Sequence, residues 1–147
     1  MKKKKENKAY VLPANQRNFN GIEADAIKKV GWYMHYVFDE DECPYGVNIH
    51  THGITENFKH LDLQLCMRVS QEVAHGILWS AFHVIESGIK LEPGKEYNNI
   101  LNGYKVKAIL AREADRDVIR LVLPAKDGTY TGQYAEKLIK TGRENIN

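Results

Sequence analysis

Residues 45 to 67 read Tyr-Gly-Val-Asn-Ile-His-Thr-His-Gly-Ile-Thr-Glu-Asn-Phe-Lys-His-Leu-Asp-Leu-Gln-Leu-Cys-Met, and the two alternations inside them decide the fold. Tyr45, Val47 and Ile49 alternate with Gly46, Asn48 and His50; Leu61, Leu63, Leu65 and Met67 alternate with Asp62, Gln64 and Cys66. Successive side chains of a strand point to opposite faces, so each run predicts a strand with one apolar and one polar side. Thr55-Glu56-Asn57 reads as the polar connection between them. The apolar sides need cover, and the rest of the chain has to supply it.

Toward the C-terminus, Ser70 predicts a helix N-cap, with Gln71 and Glu72 in the first turn. Val73, Ala74, Ile77, Leu78, Ala81, Phe82 and Ile85 recur at helical spacing as far as Gly88, which predicts one long amphipathic helix. Its stripe is expected to pack on the face formed by Tyr45, Val47, Ile49, Leu61, Leu63 and Leu65. Pro93-Gly94 marks a turn, and Tyr97 to Leu101 reads as a helical turn. Residues 103–111 and 118–123 read as strands, the second ended by Pro124 before an Asp127-Gly128 turn. Residues 134–140 suit a short closing helix.

Toward the N-terminus, the aromatic and β-branched run 32–38 predicts a strand, followed by an acidic loop from Asp39 to Pro44. Gly21 to Val30 predicts a short helix with Asn20 as its cap and Gly31 as its stop. Residues 1–20 are expected to form a flexible basic tail, and 21–147 a single domain. Strands joined by short loops cannot make a parallel sheet without crossover helices. The expected fold is therefore α+β, a mainly antiparallel sheet of about five strands, with one long helix packed on one face and short terminal helices.

Composition excludes some classes of function. A chain of 147 residues is the length of one core, and no apolar run approaches the ~20 residues that span a bilayer. The start of the chain carries the charge of a secretion signal without its apolar segment, so a cytoplasmic location is expected. Lys2 to Lys5 supply more than the whole net charge of +2, so nucleic acid is not expected as a partner beyond what that tail could touch. Cys43 and Cys66 are too few for a disulfide framework.

Chemistry concentrates in the histidines. His50 and His52, at i and i+2 of a strand, project to one face, where two imidazoles can share a metal ion; His35 or His60 would have to supply a third ligand. No spacing in the chain brings such a ligand into view, so no stoichiometric metal and no cofactor are expected. His75, Trp79 and His83, four residues apart, lie along one side of the long helix, away from its main stripe. A tryptophan there is a candidate interface residue, because buried Trp dominates many contacts. No nucleophile elbow or phosphate-binding loop occurs.

Gly31-Trp32, then Thr51-His52-Gly53-Ile54-Thr55-Glu56-Asn57-Phe58-Lys59-His60-Leu61-Asp62-Leu63, resembles the bacterial family catalogued as domain of unknown function 4262. The helix ending at Gly88, Pro93-Gly94, Val122-Leu123-Pro124 and Asp127-Gly128-Thr129-Tyr130 resemble its later landmarks, so the similarity spans about residues 22 to 131. Within it, His60 and Asp62 form the pair that matches the family pattern and are the candidates for a shared catalytic role, whereas His52 stands where an apolar residue is usual. The family brings no activity with it. The expected function is a small interaction module that binds a protein partner or itself; the alternative is a metal- or His-dependent hydrolase-like enzyme using His50, His52, His60 and Asp62.

Overall fold

The computed structural model describes residues 10–12, 21–38, 44–125, 127–130 and 133–144. The expected basic tail (apart from Tyr10 to Leu12), the Asn20 cap, and the acidic loop with Cys43 lie outside the described residues. Among the described residues, strands β1 (Tyr33–Phe38), β2 (Val47–His52), β3 (Leu63–Leu65), β4 (Glu96–Leu101), β5 (Tyr104–Glu113) and β6 (Arg116–Val122) form one sheet in the order β1-β2-β3-β6-β5-β4. Helices α1 (Gly21–Val30), α2 (Ile54–Phe58), α3 (Gln71–Glu86) and α4 (Gln133–Glu144) accompany it.

The fold is α+β as expected, with every strand pair antiparallel except β3–β6. That exception has a simple cause. Helix α3 carries the chain from β3 to β4 at the far edge, and two hairpins then bring β6 back beside β3.

Three expectations change. Residues 97–101 belong to a sixth strand and not to a helical turn: Gly103, at φ 89, lets the chain fold straight back, and Glu96 and Tyr97 pair with Lys107 and Val106 of β5. The connection at 55–57 is a helical turn, α2. And both faces of the sheet are covered, because α4 packs on the side opposite α3.

Under α3, the anticipated stripe is buried together with Val47, Ile49, Leu63, Leu65, Ile119 and Leu121. Ser70 caps the helix, its Oγ accepting from Val73 N–H at 3.1 Å. Val73 itself is 50% exposed and Val84 takes its place inside, a small rotation of the stripe. Tyr45 is not part of this core. It sits in the turn Pro44–Gly46 and packs instead with the second cluster, where Cys66, Ile109 and Val122 meet Ala135 and Leu138 of α4. Cys66, expected on a polar side, is fully buried there. Gly142 allows the close approach of α4, since a Cβ at that position would lie 2.6 Å from the Ile109 side chain.

Candidate metal centre

The sheet's second face is apolar only where α4 covers it. Toward β1 it becomes polar, and register decides what meets there. His35 lies directly opposite His50, and Tyr33 opposite His52. Directly opposed residues in an antiparallel pair share a face, so β1 completes what the His50/His52 spacing began. One ligating atom from each of His35, His50 and His52 lies within 4.8 Å of the other two. The rings stand edge to face, with centroids 4.8 to 5.5 Å apart. The third imidazole that no sequence spacing revealed is brought to the pair by strand pairing, and it is that of His35, not His60.

Each imidazole is held from outside. His35 Nε2 is 2.9 Å from Glu23 Oε2 on α1, His50 Nδ1 is 3.1 Å from Asn48 Oδ1, and His52 stacks on Tyr33 at 5.3 Å. Oxygen partners on the outer ring nitrogen are the usual way that metal-binding histidines are oriented. His50 and His52 are each only 3% exposed, whereas the His35 side chain, at 27%, reaches solvent. His52 Nδ1 is buried with no hydrogen-bond partner among the described residues, a polar atom that usually finds one.

Electrostatics keep the inner rings neutral. Burial first, and then the Arg116 guanidinium, push His50 down to about 3 and His52 down to about 2. Neutral imidazole is the metal-binding form. Glu113 Oε2 lies 3.8 Å from His50 Nε2; with His50 neutral this is not an ion pair. Glu113 Oε1 is fixed at 2.6 Å by Arg116 Nε, and the remaining guanidinium nitrogens hold Asp62 Oδ2 at 3.3 Å and the Thr51 carbonyl at 2.7 Å.

His60 lies apart from the cluster and holds backbone, whereas Asp62 reaches the cluster through Arg116. His60 Nδ1 donates to the Leu61 carbonyl at 2.8 Å, and Nε2 accepts from Leu91 N–H at 3.0 Å. Burial lowers the pKa of His60, in keeping with a ring whose second nitrogen is needed as an acceptor. Asp62 is fully buried. Its carboxylate accepts from Thr51 Oγ1, the Ile54 and Thr55 N–H groups and Thr55 Oγ1 at 2.6 to 3.1 Å, and so caps the N-terminus of α2 from a position that follows the helix in sequence. Gly53, before α2, has φ 110, and a Cβ there would meet the Gly31 carbonyl oxygen at 2.4 Å.

The profile of a family described as "Domain of unknown function (DUF4262)" matches residues 26–119. The chain belongs to that family. The matched residues of the DUF4262 domain contain His35, His50, His52, Glu113 and Arg116; Glu23, Arg120 and α4 lie outside the match. No curated protein and no solved structure matches the chain.

Trp79 is half-buried on α3, 5.2 Å from Trp32 and 5.6 Å from Phe82, with the exposed His75 and His83 rings 5.9 and 5.1 Å from it. It is partly core and partly surface.

Glu23, Glu113 and Arg116 were not legible as site residues. The last two face each other across a tight hairpin turn through Ala114, at φ 55, and Asp115. An Ala-Asp turn carries none of the glycine signal that would have fixed the pairing.

Proposed function

We propose that this chain is a metal-binding protein in which His35, His50 and His52 hold one transition-metal ion of the zinc class and leave a coordination position open. The convergence of three imidazoles from two paired strands carries this reading; the neutral state of the inner two supports it, as does the buried Nδ1 of His52, which has no hydrogen-bond partner among the described residues. Nitrogens bound to one ion at ~2.0–2.1 Å sit about 3.3 Å apart, so loading draws the rings together by up to about 1.5 Å. Three protein ligands with an open position are the arrangement of catalytic zinc sites, all three being imidazoles in one class of them, and there a bound ion would polarise a substrate oxygen or lower the pKa of its water. Glu113, beside His50 and fixed by Arg116, is then the proton acceptor. It fills the role that the sequence gave to His60 and Asp62, and metal-assisted hydrolysis is the reaction class that follows.

The test uses protein purified without a histidine tag, stripped of metal and titrated with cobalt(II). One equivalent should produce visible d–d bands of a four- or five-coordinate site, displaced by zinc and absent in His50→Ala. A flat spectrum, or binding that survives His50→Ala, refutes the site.

A second reading, self-association through Trp79, is favoured by the aromatic ridge of His75, Trp79 and His83 on the exposed side of α3. Trp79 also packs on Trp32, so truncating it confuses folding with binding. His75→Glu and His83→Glu alter exposed residues, although His75 also stacks on Trp32 at 5.8 Å, so with circular dichroism as the folding control the double variant should dissociate the assembly in sedimentation experiments. An unchanged mass in both proteins refutes this reading.

A further inference from the structure

One row of residues crosses the polar side of the sheet beneath the imidazoles. Register sets His50 opposite Gln64 and Gln64 opposite Arg120. Arg120 Nε donates to Gln64 Oε1 at 2.8 Å, Gln64 Nε2 donates to Asn48 Oδ1 at 3.1 Å, and His50 Nδ1 lies 3.1 Å from that same oxygen. Arg120 is completely buried and is held from α4 by the Leu138 carbonyl and Thr141 Oγ1, both at 2.9 Å.

A guanidinium has donors and no acceptor. The Gln64 atom facing it must therefore be the carbonyl oxygen, which turns the Gln64 nitrogen toward Asn48. The Asn48 atom that receives this nitrogen must be oxygen, and an imidazole nitrogen facing that oxygen must carry the proton. Flipping either amide sets donor against donor. The one residue that cannot accept gives both amides of the row their direction, and the Asn48 backbone carbonyl, which also accepts from the His50 ring, favours the same protonated nitrogen.

We propose that Arg120 is a positioning residue: acting through the amides of Gln64 and Asn48, it locks His50 in the Nδ1–H tautomer and so aims the Nε2 lone pair into the His35/His52 cluster. The lone pair then faces Glu113 Oε2 at 3.8 Å, an acceptor set against an acceptor, which a cation between them relieves. It also gives a role to a fully buried charge. Such a charge is expensive to desolvate, and an apolar residue of similar size often serves stability as well or better. The effect on affinity rests on the metal reading of the cluster, whereas the tautomer can be measured without any metal.

Two isosteric variants that add the same charge separate the row's direction from simple electrostatics. In Gln64→Glu, the carboxylate accepts from Arg120 and needs a donor from Asn48. The Asn48 amide turns, its NH2 faces His50 Nδ1, and the ring proton moves to Nε2. In Asn48→Asp, both oxygens still accept, so the Nδ1–H tautomer persists and the carboxylate makes the ring a better ligand. Nitrogen-15 NMR of metal-free protein should show Nδ1–H for His50 in wild type and Asn48→Asp, and Nε2–H in Gln64→Glu. Cobalt affinity should fall about 10–100-fold in Gln64→Glu, the usual effect of losing an outer-shell partner, and rise in Asn48→Asp.

An unchanged tautomer in Gln64→Glu overturns the proposal, as do equal affinity changes in the two variants, which would mean charge alone acts. A tautomer that switches as described in protein that binds no cobalt supports the row and refutes the metal reading. Should Gln64→Glu not fold, Arg120→Met removes the obligate donor instead. His50 should then show mixed tautomers, and a pure Nδ1–H form would overturn the proposal.

Discussion

The two faces of this sheet are buried by different rules. Under α3, side chains such as Leu63, Leu78 and Phe82 meet without direction, and their burial contributes in proportion to the apolar area removed from water. On the opposite face, between β1 and α4, the buried groups are His50, His52, Gln64, Asn48 and Arg120. Burial of a polar group costs free energy unless a partner of the right sense faces it, so along the row from Arg120 to His50 each residue constrains its neighbour. The first face can absorb a change by repacking. The second answers to the loss of a single atom, and that sensitivity is what makes it suited to a site.

The largest stability loss should come from Asp62, which lies in the polar system and holds α2, Thr51 and Arg116 together. Asp62→Ala strands several buried donors and leaves the Arg116 charge short of a partner, a change that reaches the top of the about 3–5 kcal/mol range for breaking buried pairs. Chemical denaturation would measure it. A loss below about 1 kcal/mol would remove the distinction between the faces, since that is an ordinary surface-level effect.

Phe82→Ala is the matching test on the apolar face. The ring is buried among Trp32, Phe58 and Trp79, so its loss should lower stability by about 3–5 kcal/mol. It should leave cobalt binding intact in the protein that remains folded. Loss of binding in step with loss of packing would show the faces to be coupled.

The faces should also differ in their response to pH. In metal-free protein, His50 and His52 are held down to about 3 and about 2 by burial and Arg116, while in the unfolded chain they titrate near ~6.5. Above that pH both rings are neutral in either state and contribute no slope. As the pH falls below it, the unfolded chain takes up protons that the folded chain refuses. Stability then drops by about 1.4 kcal/mol per pH unit for each ring, until the folded values are reached. Denaturant midpoints measured from pH 7 to pH 5 should show this fall, and it should shrink in His52→Phe. A flat profile would mean that the rings are not buried in neutral form.

The smallest effect belongs to the apolar face itself. Val73 carries the periodicity of the α3 stripe, yet it is half exposed. Val73→Ser should change stability by no more than about 0.5 kcal/mol. A loss near that of Phe82→Ala would restore the stripe to the phase that the sequence implied.

The α3 face was largely readable beforehand because periodicity is a local property. Ser70, the Ala74–Ile85 spacing and Gly88 each lie within a few residues of what they govern, and the alternation around Ile49 and Leu63 follows from strand geometry alone. The same locality explains the errors. Tyr97 to Leu101 carries a weak local preference, and pairing with Tyr104 and Val106 overrides it. Nothing within 55–57 announces α2, because its cap is Asp62, beyond the helix.

The sequence by itself determined the α+β class, the long helix, the family and the fact that His50 and His52 share a side. Tertiary structure decided which residues join them. His35 arrives through the β1–β2 register, Glu113 and Arg116 through a hairpin, and Arg120 through the parallel pairing of β3 with β6. Helix and strand periods are written at separations of two to four residues, whereas His35 meets His50 across 15 residues and Arg120 meets Gln64 across 56, and a single-residue slip in either pairing would turn the side chain to the other face.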